Sequence, residues 1–202
     1  MEPFKTIQGF AAPMLKSNID TDVIMPKQFL KGIDRSGLDK GVFFDQRFLP
    51  DGAPNPEFIL NQPKYSDAKF LLTGPNFGCG SSREHAVWGL KQLDIRALIG
   101  TSFAGIFFDN CMRNGVLIAQ ITEEQLQAIA QIISAEEKAV LIVDLPKQEI
   151  SVAGHMTVKF NIDELRKETL LEGLDPISAT LQHRADIQAF EKRHLAENPW
   201  LA

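Results

Sequence analysis

Apolar residues in the middle of the chain fall into short runs that alternate with helix-like patterns. Apolar runs that are typical of buried or half-buried strands occur in residues 69–74, at the start of residues 96–110, and in residues 115–121, 139–145 and 149–162. Two other segments carry apolar residues at helical spacing: Ala86, Val87, Leu90 and Leu93 in the first, and Leu126, Ile129, Ala130 and Ile133 in the second. Thr122 stands where it can cap the second helix. This mixed order of strands and helices predicts an α/β layered fold.

The two ends of the chain differ from this middle part. The first sixty or so residues are rich in proline and glycine and are predicted to be mostly loops. From Asp163 onward the sequence becomes helical and polar. We therefore predict one domain over residues 1–162 and a helical C-terminal extension over residues 163–202, packed on the domain or on a partner.

Composition and charge narrow the functional classes. The 202 residues contain 21 basic and 26 acidic side chains, so the net charge of −5 offers no broad basic face and argues against nucleic acid as a partner. No apolar run approaches the roughly 20 residues that span a bilayer, and no secretory signal is evident, so we expect no membrane association and a cytoplasmic location. The two cysteines and the scattered histidines favour neither a disulfide framework nor a metal site within this chain.

The densest chemical feature is GPNFGCGSSREHA, residues 74–86. Its three glycines allow a tight backbone path, and Ser81 and Ser82 stand where a helix is predicted to begin. Arg83 in the first turn adds a planar cation that can hold a carboxylate through two parallel hydrogen bonds. The combination indicates an acidic small-molecule ligand. The alternative is that Ser81 or Ser82 is only a helix N-cap, although a cap requires neither the glycines nor Arg83.

Three separated segments, in order, resemble one protein family. They are NIDTDVIMPKQFL at 18–30, the loop at 74–86, and AGIFFDNCMRNGVLI at 104–118. Together they are similar to the small subunits of bacterial 3-isopropylmalate dehydratase, in the aconitase superfamily. The resemblance implies a β/β/α swivelling domain, with the helical extension of the longer bacterial form. It also implies a large subunit that carries the [4Fe–4S] cluster and its cysteine ligands. Neither Cys79 nor Cys111 is then a ligand, and Cys111 is expected to be a core thiol.

The resemblance also implies roles for individual residues. The family reaction converts 2-isopropylmalate to 3-isopropylmalate through 2-isopropylmaleate, by loss and readdition of water. Ser81 matches the serine that acts as the base in its alkoxide form. Ser82 is implied to hydrogen-bond a substrate carboxylate and Arg83 to clamp one. Asp22 matches an aspartate that orients Arg83 or the serine loop, with an Asx turn or a cap as the alternative. His85 is expected to be structural.

Substrate choice is expected to depend on residues 26–41. Phe29, Leu30 and Ile33 offer apolar contact to an isopropyl group, and the alternative is that they only pack the loop. Arg35 keeps homoaconitate chemistry open, because a mobile loop could deliver it to a third carboxylate. Citraconate or methylmalate hydration and a non-catalytic carboxylate-binding module also remain open.

Overall fold

The chain folds around one seven-stranded sheet, as described by a computed structural model over residues 1–30, 35–81 and 83–201. The strand order is β4-β3-β2-β1-β5-β6-β7. The strands are β1 (Thr6–Met14), β2 (Ala68–Thr73), β3 (Ala97–Gly100), β4 (Leu117–Gln120), β5 (Leu141–Asp144), β6 (Glu149–Val152) and β7 (Met156–Lys159). The helices are α1 (Thr21–Ile24), α2 (Phe44–Arg47), α3 (Glu84–Gln92), α4 (Gly105–Asn114), α5 (Glu123–Ala135), α6 (Glu164–Glu172), α7 (Pro176–Leu181) and α8 (Arg184–Glu197). The predicted α/β fold class is confirmed.

Strand β1 joins two differently built halves of the sheet. Its first residues, 6–9, pair antiparallel with β5, whereas residues 10–14 pair parallel with β2. The register shifts between Phe10 and Ala11, where the strand passes from one half to the other. The prediction that the first sixty residues are mostly loops is wrong for this central strand. Its sequence, TIQGFAAPM, lacks the apolar run of a buried strand, and the irregularity breaks the two-residue alternation of a half-buried one.

The parallel half contains β1 to β4 and is strongly apolar. Strands β2 and β3 are almost entirely buried, because helices connect neighbouring parallel strands and cover them. Helix α5 begins with the predicted cap at Thr122, whose hydroxyl accepts a hydrogen bond from the N–H of Gln125 in a full capping box.

The apolar run at 96–110 divides into two elements. It begins with the predicted strand, Ala97–Gly100, and residues from Gly105 form α4, a helix that the sequence pattern did not predict. Phe107 and Cys111, four positions apart, are fully buried on one face of α4, and Gly115 ends the helix in a left-handed conformation.

The antiparallel half consists of β5, β6 and β7 joined as a meander. A turn over residues 145–148 joins β5 to β6. Buried residues alternate with more exposed ones in β5 and β6, as expected for a sheet covered on one face.

Helices α6 to α8 occupy the predicted helical extension. Asp163 is the N-cap of α6, and Leu170 of α6 is buried beside Phe4, whose N–H donates to the Leu170 carbonyl at 2.8 Å. No residue of α7 or α8 is buried. Among the described residues, no helix is long and apolar enough to cross a bilayer.

Candidate active site

The candidate site lies where the carboxyl ends of the parallel strands meet. The loops that follow β1, β2 and β3 converge there, and the central one is the glycine loop, residues 74–83. Open α/β sheets bind ligands at this edge, since loops from neighbouring strands lie side by side. The glycine-rich motif therefore sits where the fold places ligand chemistry.

Two glycines are required by the path of this loop. Gly74 lies against the backbone carbonyls of Leu15 and Lys16, and a Cβ there would overlap them. Gly78 has φ +76° and faces the ring of Phe107, with which a Cβ would also overlap. The loop is thus packed directly on α4 and on the segment that follows β1, residues 15–21, which we call the post-β1 segment.

The post-β1 segment holds one side of the glycine loop through backbone hydrogen bonds. The N–H of Gly78 donates to the Ile19 carbonyl at 2.8 Å, and the N–H of Thr21 donates to the Cys79 carbonyl at 2.9 Å. Asn18 and Asn76 both adopt positive φ, which asparagine tolerates, and their side chains form a hydrogen bond of 2.8 Å.

The segment that follows β3, residues 101–104, holds the other side of the glycine loop. Ser102 Oγ accepts from the N–H of Asn76 at 2.9 Å, and the Ser102 carbonyl accepts from the N–H of Phe77 at 3.3 Å. The N–H of Ala104 then donates to the Phe77 carbonyl at 3.0 Å. Because both sides are held, the chain enters Ser81 along a fixed path.

Ser81 is exposed and lies just before α3. The helix begins at Glu84, and Arg83 is its N-cap, in an extended conformation and without a side-chain capping bond. The prediction that the helix starts at Ser81 and Ser82, with Arg83 in its first turn, is therefore wrong. The capping alternative is also wrong for Ser81. Ser82 lies outside the described residues.

The N-terminus of α3 makes this surface attractive to anions. The first N–H groups of a helix have no partners within the helix and carry a partial positive charge. The exposed Arg83 side chain adds a full charge at the same end. Ser81 and Arg83 therefore both lie exposed beside this helix end, and their contact with a substrate carboxylate stays a prediction.

The two aspartates at positions 20 and 22 have different contacts. Asp20 caps α1, and its Oδ1 accepts from the N–H of Val23 at 2.7 Å. Asp22 lies in the first turn of α1, with its Oδ2 3.4 Å from Lys27 Nζ. The cap that we considered for Asp22 thus belongs to Asp20, and the orienting role of Asp22 toward Arg83 stays a prediction.

Sequence reasoning missed Asp20 and Thr21. Asp20 forms a parallel bridge with Cys79 in the glycine loop. Thr21 Oγ1 is buried beside Gly80 and has no hydrogen-bond partner among the described residues. An aspartate three residues before a helical N–H is a capping signal that could have identified Asp20.

Residues 26–30 and 35–41 lie partly against the domain. Phe29 is half-buried, its ring centroid lies 5.0 Å from that of Phe44, and it packs on Gly41. Leu30 is also half-buried against the core. Ile33 lies outside the described residues. Phe29 therefore packs the loop, as the alternative interpretation held, and its contact with substrate stays a prediction.

A polar cluster on α3 was not predicted. The Trp88 indole Nε1 donates to Asn114 Oδ1 at 3.0 Å, and Asn114 Nδ2 donates to Glu84 Oε1 at 2.8 Å. The ring of His85 lies 4.7 Å from that of Trp88, which fits the structural role expected for His85. Asn114 is 30 positions from Glu84 in sequence, so no local pattern could have indicated this cluster.

Comparison with known proteins gives the family. Residues 1–124 match the Aconitase C-terminal domain family, and residues 177–202 match the family of C-terminal domains from 3-isopropylmalate dehydratase small subunits. The chain is 57% identical over 201 residues to 3-isopropylmalate dehydratase small subunit 2 of Salmonella typhimurium, covering 100% of this chain and 96% of the relative. The chain belongs to the family of 3-isopropylmalate dehydratase small subunits.

Other members of this small-subunit family agree along the whole chain. The small subunit 1 from Mannheimia succiniciproducens is 56% identical, covering 100% of this chain and 99% of its own length. The small subunit from Agrobacterium fabrum is 49% identical, covering 99% and 100%. The crystal structure of 3-isopropylmalate dehydratase from Methanocaldococcus jannaschii superimposes with a TM-score of 0.64 at 26% identity, covering 92% of this chain and 99% of that one.

The cysteines of this family member differ in accessibility. Cys111 is fully buried, and burial raises the pKa of its thiol well above the ordinary value, so it is the predicted core thiol. Cys79 is half-buried in the glycine loop. Within residues 1–30, 35–81 and 83–201, no group of three or more metal-ligating side chains is placed to hold a metal ion.

Proposed function

We propose that this chain is the catalytic small subunit of a 3-isopropylmalate dehydratase and supplies the base, Ser81, and contacts to the substrate carboxylates. The reaction interconverts 2-isopropylmalate and 3-isopropylmalate through 2-isopropylmaleate. The observation that carries this proposal is the placement of exposed Ser81 at the end of a loop held on both sides, directly before the N-terminus of α3. Family membership supplies the reaction that this placement serves.

Ser81 Oγ, as the alkoxide, takes the proton from the carbon next to the one that loses the hydroxyl group. The electron pair of that C–H bond forms the double bond of 2-isopropylmaleate as the C–O bond of the neighbouring carbon breaks, and the released hydroxide takes up a proton and leaves as water. In the hydration step, the proton adds to the carbon that had lost the hydroxyl group, while the oxygen of a water molecule adds to the carbon that had lost its proton and the water gives up its other proton. A serine alkoxide needs electrostatic stabilisation, and the N-terminus of α3 together with Arg83 supplies positive charge there.

The residues around Ser81 bind the carboxylates of the substrate. The Arg83 guanidinium fits a carboxylate through two parallel hydrogen bonds, and Ser82 donates to a carboxylate oxygen. Asp22, exposed and 3.4 Å from Lys27, orients Arg83 once substrate is bound. Phe29 and Leu30 border the space for the isopropyl group.

The site needs a partner. Relatives named as small subunits imply a large subunit, and we place the [4Fe–4S] cluster and its cysteine ligands there. In this chain, the thiol of Cys111 is enclosed in the core and Cys79 forms part of the loop. The steps assigned to this chain concern only the proton and the substrate carboxylates.

Arg35 supports a second candidate, a related hydro-lyase that acts on a tricarboxylate. Its guanidinium Cζ lies 4.1 Å from the centroid of the Trp88 ring, on the helix that follows the serine loop. In the part of the chain that the structure describes, no carboxylate is paired with it. A substrate carboxylate could therefore compete for this cation.

A substrate panel on the reconstituted complex tests the proposed function. The chain is mixed anaerobically with a cluster-loaded large subunit and assayed with 2-isopropylmalate, 2-methylmalate and homocitrate. We expect no activity from the chain alone, and turnover by the complex that is fastest with 2-isopropylmalate. Faster turnover of homocitrate would favour the second candidate. Ligand binding without any turnover would instead indicate a non-catalytic carboxylate-binding module.

A further inference from the structure

The side chain of Gln92 attaches the turn formed by residues 35–38 to α3. Gln92, the last residue of α3, uses both ends of its amide. Its Nε2 donates to the Arg35 carbonyl, and its Oε1 accepts from the N–H of Leu38 at 2.7 Å. The N–H of Asp39 approaches the same oxygen at 3.4 Å. One side chain therefore bridges both ends of this turn.

Trp88 provides a second attachment on the same face of α3. Residues four apart on a helix are neighbours, so Trp88 and Gln92 face the same segment. The Trp88 ring carries the Arg35 guanidinium on its face, at 4.1 Å from Cζ to centroid. Its indole N–H is in turn bonded to Asn114, which fixes the ring.

Gly89 has no side chain, so the segment that begins at Leu38 lies close to the backbone of α3. A Cβ at Gly89 would lie 3.2 Å from the Leu38 carbonyl and would overlap Met25 and Val42 side chains. Leu38 itself is buried. The 3-10 helix Leu38–Gly41 therefore rests directly on α3, and Gln92 and Trp88 hold the exposed part of the segment that leads into it.

We propose that Gln92 and Trp88 are specificity-determining positioning residues. They hold the described part of the substrate loop, residues 35–41 with Phe29 packed on Gly41, at a fixed place relative to Ser81. This role rests on the proposed function. The glycine loop precedes the N-terminus of helix α3, and Trp88 and Gln92 lie in the later turns of the same helix. Eight rises of 1.5 Å along the helix axis separate Glu84 from Gln92 by about 12 Å. The helix thus sets the size of the space left for the apolar substituent of the substrate.

The attachment is separate from the stability of the core. Gln92 and Arg35 are exposed. The hydrogen bond between them is in contact with solvent, and the one from Leu38 N–H to Gln92 is partly buried. Replacing Gln92 by leucine removes both amide bonds and keeps a helix-forming side chain of similar size. Gln127→Leu is the matched control, because Gln127 is a solvent-facing glutamine of α5 that bonds only Glu123 among the described residues.

Two measurements test the proposal. In the isolated chain, trypsin cleavage after Arg35 is followed by mass spectrometry, and Gln92→Leu should accelerate it severalfold while Gln127→Leu leaves it unchanged. In the reconstituted complex, we expect Gln92→Leu to raise KM for 2-isopropylmalate with kcat within about twofold. The ratio of kcat/KM for 2-isopropylmalate to that for 2-methylmalate should fall about tenfold, because the two substrates differ by two methylene units and each unit provides about 10–200-fold discrimination. Gln92→Glu, which keeps an acceptor for Leu38 N–H, should lie between wild type and Gln92→Leu.

The outcomes separate the possible failures. Unchanged cleavage would show that Gln92 does not hold the segment. Faster cleavage with an unchanged substrate ratio, or a loss of kcat at constant KM, would refute the specificity role. A wild-type complex that turns over neither substrate would refute the proposed function and the specificity role with it, while the cleavage assay would still decide whether the attachment exists.

Discussion

At the scale of single residues, the path of the glycine loop depends on glycines, which have no reactive side chain. Gly78 combines a positive φ with direct contact to the Phe107 ring, and Gly74 meets two backbone carbonyls. These contacts explain why glycines accompany the serines in the motif. They place the backbone that leads to Ser81 by close packing, beside the backbone hydrogen bonds that hold the loop.

Substitution at Gly78 tests this packing. Gly78→Ala adds a methyl group that overlaps the buried Phe107 ring and forces a positive φ on alanine. The left-handed conformation costs about 1–2 kcal/mol and overpacking about 1–3 kcal/mol, so we expect a loss of about 2–5 kcal/mol in the free energy of unfolding. Urea denaturation of the isolated chain measures it.

Gly37→Ala is the control for the backbone contribution. Gly37 also has a positive φ, +72°, but a Cβ there meets nothing within 4 Å. It should lose only about 1–2 kcal/mol. Equal losses for the two variants would contradict the packing explanation of the glycine at position 78.

Sequence reasoning identified some of the site residues and could not identify others. Ser81 and Arg83 stand out because they share one short motif. Asp20, Thr21 and Asn114 take part through contacts with segments that are 30 or more positions away. Such contacts arise only when the strands are paired, so no local pattern contains them.

At the scale of elements, the prediction succeeded where one pattern ran through the whole element. Strand β2 and helix α5 are uniform in this sense, and both were predicted. Strand β1 changes partner and register in its middle, and α4 begins inside an apolar run, so neither has a single period. The missed strand is the central one, because it belongs to both halves of the sheet.

Helix α3 is the element that links the two parts of the site. Its N-terminus follows Ser81 and its later turns carry Trp88 and Gln92. Asn114 binds Glu84 and Trp88 on the same face, which fixes the helix against α4. A single element can therefore keep both the base and the substrate loop in register.

At the scale of the whole molecule, the C-terminal extension is only partly attached. Leu170 of α6 is 1% exposed, whereas Phe190 of α8 is 54% exposed and Trp200 is 76% exposed. The extension therefore contributes to stability mainly through α6.

Truncation tests this division. A chain that ends at His183 loses α8 and the segment that follows it, in which no described residue is buried. We expect its free energy of unfolding to change by less than about 1 kcal/mol, since little apolar area is lost from the core. Leu170→Ala in the full chain should cost about 2–5 kcal/mol. Urea denaturation of the isolated chain that shows equal losses for the two would contradict this description.

The central claim is that Ser81 is the base of a dehydratase completed by a large subunit. Its most direct test is steady-state kinetics of the Ser81→Ala complex with 2-isopropylmalate, with Ser134→Ala on the exposed face of α5 as the control. Loss of a general base lowers the rate about 10²–10⁴-fold, so kcat should fall by this factor while KM changes by less than about threefold. A Ser81→Ala complex with the kcat of the control would contradict the claim.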